Sequence, residues 1–224
     1  MRSALALSEG SRYGIVLILL FGAVVVTIVW PGGTLGALVT TGLQGASVLV
    51  AIGGRATGGV RQLLLLVLVV ASIAVAALAS GSVESGIRDF LNAAVIVALP
   101  AIIVVRFRRV LFVNVQTVLG AICIYLVIGM FYASVDAGLS NLSGRPFFAQ
   151  ASTATNSQYT YFSFITLATV GYGDLTPGSG VAQALAVTEA LTGQLYLVTV
   201  IALLVGSFGR ARQRPPGGGT SGDP

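Results

Sequence analysis

The chain has 224 residues, 55% of them apolar and only 8% charged, and its formal net charge of +5 comes from 12 arginines against 7 acids, with no lysine or histidine. So little polar surface excludes a soluble globular domain and places the chain among polytopic membrane proteins. The arginines cluster between apolar runs instead of along one face, which argues against nucleic-acid binding, and the single cysteine, Cys123, sits within an apolar run and can form no intrachain disulfide.

A bilayer core takes roughly 20 apolar residues per helix. Cutting the chain at its charged and Gly/Pro-rich breaks predicts six spans: Tyr13 to Trp30, Leu35 to Ile52, Gln62 to Ala79, Phe90 to Val105, Val110 to Ser134 and Val181 to Phe208. The expected fold is therefore an all-α integral membrane protein. No small-residue cleavage site follows the first run, so that run is expected to be retained. The fourth span carries Pro100, where a kink is expected. Arg2, Arg12, Arg55, Arg61, Arg106, Arg108, Arg109, Arg210, Arg212 and Arg214 all fall on one side of such a bundle, whereas the other side receives Arg88, Arg145, Glu84, Asp89, Asp136 and Asp174. By the positive-inside rule both termini are cytoplasmic in a plasma-membrane protein. Residues 1–109 read as a four-helix N-terminal bundle, 110–209 as a second domain, and the Pro/Gly-rich residues 210–224 as a disordered cytoplasmic tail.

The long connection between the fifth and sixth spans carries the chemistry. After "SVDAGLSNLSGRPFFAQAST", which reads as a turret outside the membrane, "NSQYTYFSFITLA" combines helix-start residues with an apolar and aromatic stretch about half the length that spanning needs. It is expected to be a re-entrant helix. The following "TVGYGD", Thr169 to Asp174, cannot be helical throughout, because Gly171 and Gly173 favour backbone conformations that Thr and Val resist. Carbonyl oxygens left unpaired at membrane depth are tolerated only if buried in protein or lining a wet pathway. A row of them replacing the water shell of a cation meets that condition.

At these residues the chain resembles the potassium-channel pore family, and the resemblance covers its second half, from about Val110 to Arg210: outer helix, short pore helix, "TVGYGD" filter and inner helix. The resemblance implies that the carbonyls of Thr169, Val170, Gly171 and Tyr172, with the Thr169 hydroxyl, form stacked K⁺ sites, and that Gly173 and Asp174 lie at the outer mouth. Such a filter is lined by four loops and this chain carries one, so a homotetramer is implied. Permeant K⁺ is the only ion called for, with no further cofactor. A Gly-rich structural turn is the bland alternative reading of the same stretch.

Six spans with the pore last also look like voltage-gated channels, yet the fourth span, "FLNAAVIVALPAIIVV", has no arginine. One charge crossing the field supplies only about 2.3 kcal/mol per 100 mV, so strong voltage gating is not expected. In the sixth span, Gly193 lies 20 residues past Gly173, a spacing similar to the hinge glycine of potassium-channel inner helices; close helix packing explains it equally well. Glu189, one turn earlier, reads as the carboxylate well inside a span. It is either a neutral anchor bonded to pore-helix hydroxyls such as Thr160, Ser163 or Thr166, or an ion site facing cavity water. Gln194 and Thr199 are further cavity candidates. Asn141 opens an N-x-S triplet that carries no meaning in the bacterial protein that an Ala-, Gly- and Arg-rich, Lys-free composition suggests. The absence of histidine argues against a membrane enzyme. A nonselective cation channel is the nearest rival reading, and a transporter subunit is more remote because it would need four filters in one chain.

Overall fold

The computed structural model describes residues 9–30, 33–52, 67, 69–71, 73–74, 82–107 and 115–212. Within them the apolar runs fold as helices: α1 Glu9–Val29, α2 Gly33–Ile52, α3 Ser82–Phe107, α4 Val115–Ser143, α5 Asn156–Leu167 and α6 Gly180–Arg212. No β-sheet occurs among the described residues, only an isolated bridge between Phe148 and Pro177, so 'strand' below means a single extended run of chain. Three helices are long and apolar enough to cross a membrane, over Arg12–Val29, Val115–Ser143 and Gly180–Leu203, and α2 carries a shorter apolar stretch, Leu35–Ala51. The expected span Gln62 to Ala79 lies largely outside the described residues, as does the tail beyond Arg212.

The helices depart from the sequence reading at three places. α3 begins at Ser82, not Phe90, and runs unbroken through Pro100, while α4 continues to Ser143, so the first half of the expected turret is helical. Packing between α3 and α4 explains both extensions. A Cβ at Gly138 would stand 2.8 Å from Phe90 Cε2, and one at Gly86 would stand 2.7 Å from Leu142 Cγ. Small residues thus let the two backbones approach closely, and dispersion contacts carry the added turns. As a consequence Asp89 and Asp136, which the sequence reading assigns to the outer side, are buried, Asp136 completely. At the other end, α6 extends to Arg212, so residues 210–212 are helical and do not belong to a disordered tail.

Two apolar clusters hold the helices together. The first joins Val16, Leu20 and Ala23 of α1 with Val48 and Ala51 of α2, Val95 and Ile96 of α3, and Cys123, Val127 and Met130 of α4. The second lies at the turret end: Phe147, Phe148, Tyr159 and Phe162 surround Ala133, Ala137 and Ala182. Its rings meet at centroid distances of 5.1 to 5.9 Å, mostly edge to face, and each such pair is worth about 0.5–1.5 kcal/mol beyond its buried area. Hydroxyls stitch the layers as well. Tyr196 Oη donates to the Ala121 carbonyl at 2.6 Å, and Tyr132 Oη lies 3.1 Å from Thr192 Oγ1, tying α6 to α4.

Candidate functional site

The site is built on α5, which at 1.5 Å per residue is about 18 Å long, too short to cross a bilayer core of about 30 Å. Its start is fixed by sequence. Thr155 is the N-cap, Gln158 N–H bonds Thr155 Oγ1 at 3.4 Å, and Thr155 N–H bonds Gln158 Oε1 at 2.9 Å, completing a capping box. The aromatic cluster grips this end, and Ser157 Oγ donates to the Ile28 carbonyl of α1 at 3.0 Å. The helix ends at Leu167, with Ala168 as C-cap.

Beyond the cap the backbone turns over. Thr169, Gly171 and Gly173 have φ of 56°, 53° and 80°, so left-handed residues recur at every second position. Glycine takes that conformation at no steric cost, whereas threonine holds it only under constraint from its surroundings. The constraint is visible in the hydrogen bonds. Thr169 N–H bonds the Thr166 carbonyl at 2.9 Å, and the N–H groups of Val170 and Gly171 both converge on the Ile165 carbonyl, at 2.8 and 3.2 Å. The N–H groups of residues 169–171 are thus spent on the C-terminal carbonyls of α5. Among the described residues no hydrogen bond ends on the carbonyl oxygens of residues 169–173. Val170 and Tyr172 are 50% and 72% exposed on the single chain.

The outer end is tied back by contacts the sequence reading missed. Tyr161 Oη donates to Asp174 Oδ2 at 2.9 Å, and this bond holds the Tyr161 phenol above its ordinary pKa. Gln150 clamps Thr176 twice: its Nε2 donates to Thr176 Oγ1 at 2.7 Å and its Oε1 accepts from Thr176 N–H at 2.9 Å. Ala149 N–H and Gly178 N–H close the bridge between turret and post-filter loop at 2.8 Å each. An aromatic hydroxyl on the re-entrant helix, 13 residues before the aspartate, was the available signal for the first of these.

Behind the strand, α6 packs directly on α5. A Cβ at Gly193 would run into the Leu167 carbonyl oxygen and stand 2.8 Å from Leu167 Cδ1. The helix is continuous through Gly193. Glu189 is 0% exposed, and its Oε1 shares a hydrogen bond with Ser163 Oγ, which also bonds the Gly129 carbonyl at 2.6 Å. Thr160 and Thr166, the other expected anchors, form no hydrogen bond to Glu189 among the described residues. Ser163 has one hydroxyl hydrogen and faces two acceptor oxygens. Given to Glu189 Oε1, that hydrogen satisfies a carboxylate; given to the Gly129 carbonyl, it leaves the Ser163–Glu189 bond to a carboxyl that donates. Glu189 Oε2 has no hydrogen-bond partner among the described residues, an environment in which a carboxylate charge would be costly. Gln194 and Thr199 are exposed on the single chain.

Residues 120–209 match the model of a family described as ion channel. No curated protein matches the chain, and no solved structure matches it. The matched stretch holds most of α4, all of α5, the 169–173 strand and nearly all of α6. Over residues 120–209 the chain is thus similar to an ion channel family, which is not an enzyme class, and three helices long and apolar enough to cross a membrane accompany that similarity.

Proposed function

We propose that four copies of this chain form a passive, potassium-selective channel in the plasma membrane, the carbonyls of Thr169, Val170, Gly171 and Tyr172 supplying the K⁺ sites. The observation that carries this reading is the 169–173 segment: the N–H groups of residues 169–171 consumed by α5, carbonyls left unbonded among the described residues, and left-handed residues at alternate positions. A backbone of this kind is costly at membrane depth unless its oxygens face ions or water. One chain supplies one such strand. The outward side chains of α6, including Val187, Leu191, Leu195 and Val198, are apolar and exposed on the single chain, which suits burial between copies in a closed ring. In this reading the chain crosses the membrane six times with both termini cytoplasmic, Asp174 stands at the outer mouth, and Glu189 is a neutral anchor behind the filter. Gly193 serves as a packing contact and not as a hinge, since the space a bend would need is filled by Leu167.

Reconstitution tests this directly. Vesicles loaded with potassium and diluted into sodium should develop an inside-negative potential that drives proton uptake through a protonophore, and chemical crosslinking should give a ladder ending at four chains. Equal signals from potassium and sodium gradients would favour the nonselective channel, and a ladder ending at two would rule out a four-strand filter built from this chain.

A further inference from the structure

A cavity of about 420 Å³ lies away from the conduction strand, walled by the C-terminal ends of α1 and α4 and the N-terminal ends of α2, α3 and α5. These ends adjoin the turret, and Ala154 directly after it also lines the cavity. Its size is that of a small-molecule site. Its lining is not what a lipid-embedded bundle needs for packing: hydroxyls, amides and the ion pair Arg88–Asp89 face a space between helices.

The polar groups are unevenly satisfied. Asp89 Oδ1 takes Arg88 Nε and Nη2 at 3.3 Å each, and Oδ2 takes Asn141 Nδ2 at 2.8 Å. The pair is thus neutral overall, yet among the described residues the Nη1 edge of the guanidinium has no partner. On the opposite account, the amide oxygens Gln44 Oε1 and Asn92 Oδ1 are buried and accept no hydrogen bond among the described residues, and Gln44 is only 3% exposed. A buried orphan acceptor costs about 1–3 kcal/mol. The cavity therefore offers an anion-binding edge and two cation- or donor-seeking oxygens together, in a neutral frame that a ligand of either net charge would unbalance. Arg88 and Asn92, four residues apart, share one face of α3. Val24 and Met130 supply apolar wall beside them.

We propose that this cavity binds an α-amino acid zwitterion, its carboxylate on Arg88 and its ammonium on the amide oxygens of Gln44 and Asn92, with an aliphatic side chain against the apolar wall. Thr155, Tyr159 and Thr160 of α5 line the same cavity, so occupancy bears on the helix whose far end holds the 169–173 strand. This second part, that the ligand modulates conduction, rests on the channel reading; the binding part does not.

The test uses the full chain in lipid nanodiscs and three matched probes: L-leucine, 4-methylpentanoate, which lacks the ammonium, and 3-methylbutylamine, which lacks the carboxylate. Radiolabelled leucine should bind saturably, and each half-molecule should compete at least about tenfold more weakly, since each forfeits its charge-assisted hydrogen bonds. Gln44→Leu should weaken leucine binding by about tenfold or more on the same principle, measured on the folded fraction isolated by size exclusion. Absence of saturable binding, equal competition by either half-molecule, or unchanged affinity in Gln44→Leu would overturn the site. In bilayers leucine should change open probability without changing unitary conductance. Binding with no change in current would overturn the coupling, and binding by a protein that conducts nothing would count against the channel reading while upholding the site.

Discussion

Gly193→Ala separates packing from hinging at the inner helix. The added methyl would meet the Leu167 carbonyl oxygen and lie 2.8 and 3.0 Å from Leu167 Cδ1 and Cγ. A side chain can swing aside, but a carbonyl at the end of α5 cannot move without carrying Ala168 and Thr169 with it. Overpacking of this kind costs typically about 1–3 kcal/mol, and a backbone obstacle places it near the upper end. The alanine recovers up to about 1 kcal/mol of helix propensity over glycine. The net loss is about 2 kcal/mol, roughly a thirtyfold shift in the folded ratio. Thermal unfolding in detergent should show it as a lowered midpoint, and single-channel recording should show altered unitary conductance or selectivity, because Thr169 is displaced. Adding Leu167→Ala should not restore the wild-type midpoint, since the carbonyl remains in place. A variant with the wild-type midpoint, conductance and selectivity but altered open probability would refute this reasoning and reinstate the hinge.

Glu189→Gln keeps a donor toward Ser163 and should preserve assembly and conduction, whereas Ser163→Ala leaves the buried Glu189 carboxyl without its Ser163 partner and should lower stability by about 1–3 kcal/mol; thermal melts of both variants check this, and a lost current in Glu189→Gln would mean that the native group is charged. Tyr161→Phe removes the tether on Asp174 and should hasten loss of current during sustained opening, with the initial conductance near wild type. The bond raises the phenol above its ordinary value of 10.0, so the tether persists below that pH and is lost only as pH rises through the raised pKa: currents recorded between pH 7 and 9 should show no Tyr161-dependent change. Because the fourth predicted span has no arginine ladder, open probability should vary weakly between strongly negative and positive potentials, and a steep curve equivalent to several gating charges per subunit would contradict the account.

The local features were legible in the sequence because their causes are local. Thr155 and Gln158 announce the start of α5 within four residues, and Gly171 and Gly173 announce a backbone that cannot be helix. The partner of Glu189 was legible in kind, since membrane depth demands a hydrogen bond and Ser163 was among the few hydroxyls in reach. The continuation of α4 to Ser143 was not, because "SVDAGLSNLS" has the composition of a loop and becomes helix through the fit of Gly138 to Phe90 and Leu142 to Gly86 on another element. The burial of Asp136 follows from the same packing. Equally invisible was the polar cavity: Gln44, Arg88 and Asn141 lie on three helices far apart in sequence, and each alone reads as an isolated polar residue, Gln44 within a predicted span and the other two outside one.

The central claim is that the carbonyls of residues 169–172 select potassium by backbone geometry, and the reversal potential with potassium on one side of a bilayer and sodium on the other tests it most directly. The account predicts a reversal potential far toward the potassium equilibrium value in the wild-type protein, and loss of that selectivity or of all current in Gly171→Ala, where φ of 53° disfavours any side chain. A reversal potential near zero in the wild-type protein would contradict it.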